Sequence, residues 1–215
     1  CGECGVDGLT VTAGGGGTII RGLAIGNFDG NRTDDLVWHE VTTGQTAIWF
    51  DGSSGQRVNL VTVRDLAWDI LGAGDFDGNG RADLLWRHAE SGAMVAWRDG
   101  DYARPFSIPG VSDPAWQVVA IGDFEDDGRD DLAWRHMVDG RNVIWRDADP
   151  NRLHRNAPTG MAWQVVGAGN YSRIGAADLL WRNRETGAIV IWRAGWSAIP
   201  QRLDGVSDQD WVNRS

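Results

Sequence analysis

Twelve of the thirteen tryptophans stand in three columns that recur every 47 or 48 residues. Trp38, Trp86, Trp134 and Trp181 form the first column, and Trp49, Trp97, Trp145 and Trp192 the second. Trp68, Trp116, Trp163 and Trp211 form the third. A fixed period of this length marks a repeat architecture, in which one supersecondary unit recurs and buries its apolar face against its neighbours. It also sorts the residues: one that fills a column reads as structural, and one that breaks a column is the better functional candidate. Trp196 is the tryptophan off the lattice.

Aligned on these columns, the repeat cores are Leu23–Phe50, Leu71–Arg98, Val119–Arg146 and Val166–Arg193. Their internal pattern is β. In the second repeat, Trp68–Asp75 is an apolar run containing Gly72 and Gly74, and strand glycines mark close approach of another backbone. Asp83–His88 follows, then a turn at Glu90-Ser91-Gly92, then Ala93–Arg98. Asp99-Gly100 is a hairpin signal, and Tyr102–Ile108 reads as a fourth strand whose Pro105 points to an edge. Four short strands per repeat of about 48 residues predict an all-β chain of β-propeller blades. Repeats are expected at about 19–66, 67–114, 115–161 and 162–210, within a propeller domain over 19–215. Four blades either close a small ring, belong to a larger or oligomeric ring, or are part of a longer protein.

The ends depart from the repeat. Ile20 replaces the leading Trp of the first repeat, and Trp211 opens a fifth inner strand. Residues 1–18 form an extension in which Gly14–Gly17 is a flexible joint and Leu9–Thr12 alternates as an added strand would. Cys1 and Cys4 are the only cysteines and complete no zinc or haem motif. They read as a small terminal disulfide or two thiols, or with Cys1 as a lipid-bearing mature N-terminus.

The net charge of −10 argues against a nucleic-acid partner, which requires clustered Lys and Arg. No apolar run approaches the roughly 20 residues that span a bilayer.

Between the first two strands of each repeat lies an acidic loop. In the second repeat, oxygen-bearing side chains stand at loop positions 1, 3, 5 and 9, namely Asp75, Asp77, Asn79 and Asp83, with Gly80 at position 6. Alternate oxygens around a sharp glycine turn are the layout with which EF-hand loops surround Ca²⁺, position 7 giving a backbone carbonyl. No thiolate or imidazole is near, which disfavours zinc or copper. The third repeat has Asp123, Glu125, Asp127 and Asp131, with Gly128 at position 6. The first has Asn27, Asp29, Asn31 and Asp35, with Arg32 in place of the glycine. The fourth has Asn170, Ser172, Ile174 and Asp178, and Ile174 cannot be a ligand. Two to three Ca²⁺ sites are expected, strongest in the third repeat and absent from the fourth. The alternative is an acidic turn that hydrogen-bonds its own backbone.

The string Gly74–Arg87 (GDFDGNGRADLLWR) resembles the FG-GAP (VCBS) repeats, the calcium-binding blades of integrin α-subunit propellers and of many secreted bacterial proteins. The resemblance extends from residue 20 to about 211. It implies calcium ligands at Asp75, Asp77, Asn79, Asp83 and the Arg81 carbonyl. It implies them equally at Asp123, Glu125, Asp127, Asp131 and the Arg129 carbonyl, and at Asn27, Asp29, Asn31, Asp35 and the Thr33 carbonyl. It further implies about seven blades in a ring, an extracellular or cell-surface setting, and a binding or scaffolding role without shared enzymatic activity.

Six Trp-Arg dipeptides recur in the last three repeats. Strand neighbours face opposite sides, so each Trp is expected to fill the space between blades. Its Arg should pair with a carboxylate or cover a ring on the next blade. Trp196 is the candidate ligand-binding residue. The four histidines are scattered and no nucleophile–base pairing stands out, so the chain is read as a non-enzyme. The expected role is a calcium-stabilised adhesion module for glycan or extracellular protein. Alternatives are a self-associating subunit of an extracellular oligomer or fibre, and an ancillary domain of a polysaccharide-degrading enzyme.

Overall fold

The computed structural model describes residues 10–11 and 18–205. The fold is all-β: four four-stranded antiparallel meanders, the blades of a β-propeller, with only short 3-10 turns besides among the described residues. Blade one is β2 (Thr18–Gly26), β3 (Asp35–Glu40), β4 (Thr46–Trp49) and β5 (Arg57–Asn59), preceded by β1 (Thr10–Val11). Blade two is β6 (Trp68–Gly74), β7 (Asp83–His88), β8 (Met94–Trp97) and β9 (Pro105–Ile108). Blade three is β10 (Trp116–Gly122), β11 (Asp131–His136), β12 (Asn142–Trp145) and β13 (Leu153–Asn156). Blade four is β14 (Trp163–Gly169), β15 (Asp178–Asn183), β16 (Ile189–Trp192) and β17 (Pro200–Leu203). Blades one and two lie in one compact unit ending at Ser112, and blades three and four in a second beginning at Asp113. Among the described residues, no helix is long and apolar enough to cross a membrane.

The expected strands are present, with two adjustments. The fourth strand of blade two starts at Pro105 rather than Tyr102, because Asp99 takes a left-handed conformation (φ 51°) and Asp101 caps the turn through the N–H of Ala103. The strand expected near Leu9–Thr12 is β1, and it pairs with β2 of its own blade, Thr10 opposite Ile19. Cys1, Cys4, the Gly14–Gly17 joint and Trp211 lie outside the described residues.

Each first-column Trp meets the second-column Trp of its own sheet. Trp86 lies opposite Val95, and Trp97 two residues on lies opposite Leu84, so the indoles are diagonal neighbours on one face. Their rings tilt at 43° with centroids 4.8 Å apart, and Trp134 with Trp145 and Trp181 with Trp192 repeat the contact. In the first unit this face of blade two packs on blade one: Trp86 and Leu84 share a buried cluster with Phe28, Val37 and Ile48. In the second, Trp181, Trp192 and Leu179 of blade four pack on Phe124, Ala133 and Ile144 of blade three. Large aromatic areas buried at a sheet interface dominate such packing, at about 25 cal/mol per Å² removed from water.

The residue after each first-column Trp points to the other side, as alternation requires. His39 meets Trp86 of the next blade edge-to-face at 5.0 Å. The Arg135 guanidinium lies 5.2 Å over Trp181 of the next blade, as the dipeptide pattern predicts. Gly26, at the end of β2, has a specific steric duty: a Cβ there would stand 2.7 Å from the Ala82 Cβ of blade two. At this strand glycine the close neighbour is the side chain of an alanine on the next blade, not another backbone.

Candidate functional site

The acidic loops connect the first and second strands of each blade. Their common element is the aspartate at position 9, which opens the second strand as Asp35, Asp83, Asp131 and Asp178; all four are fully buried. Each carboxylate clasps two separate segments. One oxygen accepts the N–H of the loop's second or third residue: Phe28, Phe76 and Phe124 at 2.8, 3.1 and 2.8 Å, and Ser172 at 2.6 Å. The other accepts an N–H from the turn that ends the third strand: Asp51, Asp99, Asp147 and Ala194, at 2.8–3.0 Å. The expected ligands Asp35, Asp83 and Asp131 are thus structural clasps whatever else they hold.

Position 1 caps the loop. Asp75 accepts the N–H groups of Gly78, Asn79 and Gly80, and Asp123 those of Glu125, Asp127 and Gly128. Asn27 accepts that of Gly30. The side chains of Asn31, Asn79 and Asp127 at position 5 accept the N–H of Thr33, Arg81 and Arg129. The self-satisfied acidic turn weighed from the sequence is therefore present in all three loops.

Above these caps, carboxylates converge. In blade two, Asp75, Asp77 and Asp83 each place an oxygen within 4.8 Å of the others. Burial, with the charges of Asp77 and Asp75 adding to it, pushes the Asp83 carboxyl up to about 6. In blade three, burial first and then the neighbouring Glu125, Asp123 and Asp127 raise Asp131 to about 7. There the converging group is Glu125, Asp127 and Asp147, not the full expected set. Among the described residues, no such group of three forms in blades one or four. Three carboxylate oxygens converging with no sulfur or imidazole fit a hard divalent cation. Arginines supply part of the countercharge: Arg98 pairs with Asp77 at 2.9 Å, Arg104 with Asp99 at 2.8 Å, and Arg146 and Arg152 with Glu125 at 3.2 and 3.0 Å.

Asp51, Asp99 and Asp147 are the residues that sequence reasoning missed. Each lies two positions after a second-column Trp and is left-handed (φ 51–52°), a conformation aspartate tolerates better than most residues. The signal was available in the repeat. The column holds Ala194 in blade four, whose loop likewise has no acid at positions 1, 3 and 5.

Trp196 replaces the residue that is Ser53, Asp101 and Asp149 in the other blades. It is 38% exposed and stacks on His154 of blade three, centroids 4.6 Å apart at 13°. A separate open pocket of about 250 Å³ on blade four is lined by Trp163, Ile189, Val190, Arg202 and Leu203, without Trp196. His88 and His136 sit edge-on to Trp68 and Trp116 and bond Asp65 and Asp139, an ordinary strand-end setting.

No curated protein matches the chain. Among solved structures it is similar to a streptogramin B lyase, at 7% identity and a TM-score of 0.55, over 94% of this chain and 59% of that one. It is also similar to virginiamycin B lyase from Staphylococcus aureus, at 12% identity and 0.51, over 89% and 57%. The chain therefore spans under three fifths of the length of these structures, and at such identities the likeness concerns the fold alone. Residues 75–134, from the acidic loop of blade two to the first-column Trp of blade three, match the family model described as FG-GAP-like repeat. Over residues 75–134 the chain is thus similar to an FG-GAP-like repeat, as its loop sequence indicates.

Proposed function

We propose that this chain is a calcium-stabilised binding module that works at or outside the cell surface. The observation that carries the proposal is the convergence of Asp75, Asp77 and Asp83 on one point of the blade-two loop. Asp75 and Asp83 are anchored by backbone N–H groups, so their carboxylates are pre-positioned for a cation. A Ca²⁺ bound there supplies positive charge that offsets the crowding and ties β6 to β7. Asp75, Asp77 and Asp83 would hold it, with Asn79 and the Arg81 carbonyl in the same loop. In blade one, Asn27, Asp29, Asn31, Asp35 and the Thr33 carbonyl offer fewer charges and a weaker site.

The ligand side of the proposal rests on Trp196. An indole held flat by His154 and left open to solvent presents a rigid face at small entropic cost, suited to the C–H face of a sugar or to an apolar side chain of a protein. The role proposed is recognition rather than catalysis.

Two measurements test this reading. Calcium in hundredfold excess over its dissociation constant should stabilise the fold by about 2.7 kcal/mol, read as a rise in melting temperature that chelator reverses. An unchanged melting temperature removes calcium from the proposal. Binding on a glycan array, or capture of an extracellular protein, should be lost in Trp196→Ala with the melting curve retained. Retained binding would move the recognition surface elsewhere.

A further inference from the structure

We infer that blades one and four carry the two halves of an interface between copies of this chain: the Arg182 face of blade four in one copy receives the Trp38 face of blade one in another.

Within each compact unit, the joint between consecutive blades has the same parts. The Ala82 N–H of blade two donates to the Asn27 carbonyl of blade one at 2.8 Å, and Ala177 of blade four donates to Asp123 of blade three at 2.6 Å. The position-2 aromatic of the earlier blade enters beside the turn glycine of the later one. A Cβ on Gly100 would stand 3.2 Å from the Phe28 ring, and one on Gly195 would stand 3.0 Å from that of Phe124. At the outer strand, Asn156 of blade three donates to the Gly195 carbonyl at 2.8 Å.

Blade four presents the first half of such a joint uncovered. Tyr171, in the place of the buried Phe28 and Phe124, is 46% exposed. Leu203, in the place of the buried Ile108 and Asn156, is 40% exposed. Leu180 is partly exposed where Val37, Leu85 and Ala133 are buried. Arg182 Nη2 meets no acceptor, whereas Arg135 in the same place bonds Asn142 and lies over Trp181. The last repeat of a stack needs a polar outer face for solubility, and an exposed apolar face marks a contact with another protein.

Blade one presents the second half, also uncovered. Leu36 and Trp38 are partly exposed, where Leu84, Trp86, Leu179 and Trp181 are buried against the preceding blade. Gly52 is exposed where Gly100 and Gly195 are buried. Among the described residues, its Cβ position has one neighbour within 4 Å, Leu36 of its own blade at 3.9 Å. The space taken by Phe28 at Gly100 is thus free at Gly52 for Tyr171 of another copy, and Trp38 offers Arg182 the indole that Trp181 offers Arg135. A second copy covers both halves with contacts that the chain already makes between its own blades. A single further blade would cover one of them. The two halves are different surfaces, so the pairing is heterologous.

Sedimentation equilibrium of the full chain and two variants tests this. Leu203→Asp sets a charge into the blade-four half at a position exposed in the single chain. Gly52→Asn fills the blade-one half, and asparagine tolerates the left-handed turn there (φ 65°). The unaltered chain should associate as concentration rises. Each variant should associate at least about tenfold more weakly while keeping a cooperative melting curve at dilution. An equimolar mixture of the variants should recover pairing, since each supplies the half that the other has lost. An unaltered chain that stays monomeric at every concentration overturns the inference and leaves the two faces to further blades of a longer chain. Variants that associate as tightly as the unaltered chain, or a mixture no more associated than either variant alone, overturn it as well.

Discussion

The Ala194 N–H donates to Asp178 Oδ1 at 2.9 Å, in the blade whose loop has no acid at positions 1, 3 and 5. The same bond joins Asp131 to Asp147 in the acid-rich blade three. The position-9 aspartate therefore makes its clasp even in the blade whose loop has no acid at positions 1, 3 and 5. It ties together an N–H near the loop start and one in a turn 16 residues further on, and so fixes how the first and second hairpins of a blade meet.

Asp178→Ala should accordingly cost about 3 kcal/mol, since three hydrogen bonds to a charged acceptor are lost, from the Ser172 N–H and hydroxyl and the Ala194 N–H, and the two N–H donors are left unpaired. Asp178→Asn, which keeps one acceptor, should cost less. Urea unfolding with and without calcium checks this. The cost should be the same in both, and a cost that vanished in chelator would mean that the residue acts through a metal.

Arg32 occupies the loop position that holds Gly80 and Gly128 in the next two blades, and its φ is +75°. A side chain in this region crowds the backbone, at roughly 1–2 kcal/mol. Arg32→Gly should therefore raise stability by about 1 kcal/mol after the greater entropy of a glycine in the unfolded chain. A lower melting temperature would show that Arg32 makes a compensating contact.

His39 is buried between Thr46 Oγ1, which its Nδ1 meets at 2.9 Å, and the edge of Trp86. Burial holds its pKa below the ordinary value, with Glu40 opposing that shift. A histidine depressed in the fold binds its proton more readily when unfolded. Its contribution is therefore present above about pH 6.5, the unfolded value, and is lost as pH falls through the window below it. Asp83 and Asp131, raised to about 6 and about 7, take up protons in the fold and add the opposite slope over this range. The His39 part is therefore read as a difference: the unfolding free energy of the unaltered chain minus that of His39→Phe, which keeps a ring against Trp86, should decline from pH 8 down to pH 5, and a constant difference would mean that His39 adds no pH dependence.

The blades were legible because their signals are local. Alternation along Asp83–His88, the Asp99-Gly100 turn and the spacing of Trp86 from Trp97 are properties of a few adjacent residues, and hydrogen-bonded strands respond to them directly. The arginine on the next blade's indole was legible too, because strand alternation leaves Arg135 no place beside its own Trp134. The turn aspartates were not legible as site residues. Asp147 meets Glu125 and Asp127 only because β11 and β12 fold back on each other, and no spacing within the loop carries that information.

The sequence by itself determined the all-β class, the number of described blades and which four loops differ, since each follows from periodicity that a short strand and its turn must obey. Only the tertiary structure decided which carboxylates converge. It assigned the four position-9 aspartates to backbone clasps, joined Asp75 and Asp77 to Asp83 in blade two, and brought a turn residue to the loop in blade three. The physical reason is that convergence of side-chain oxygens depends on strand register and on which N–H groups each oxygen already satisfies. Both are settled only when distant segments of the chain pack together.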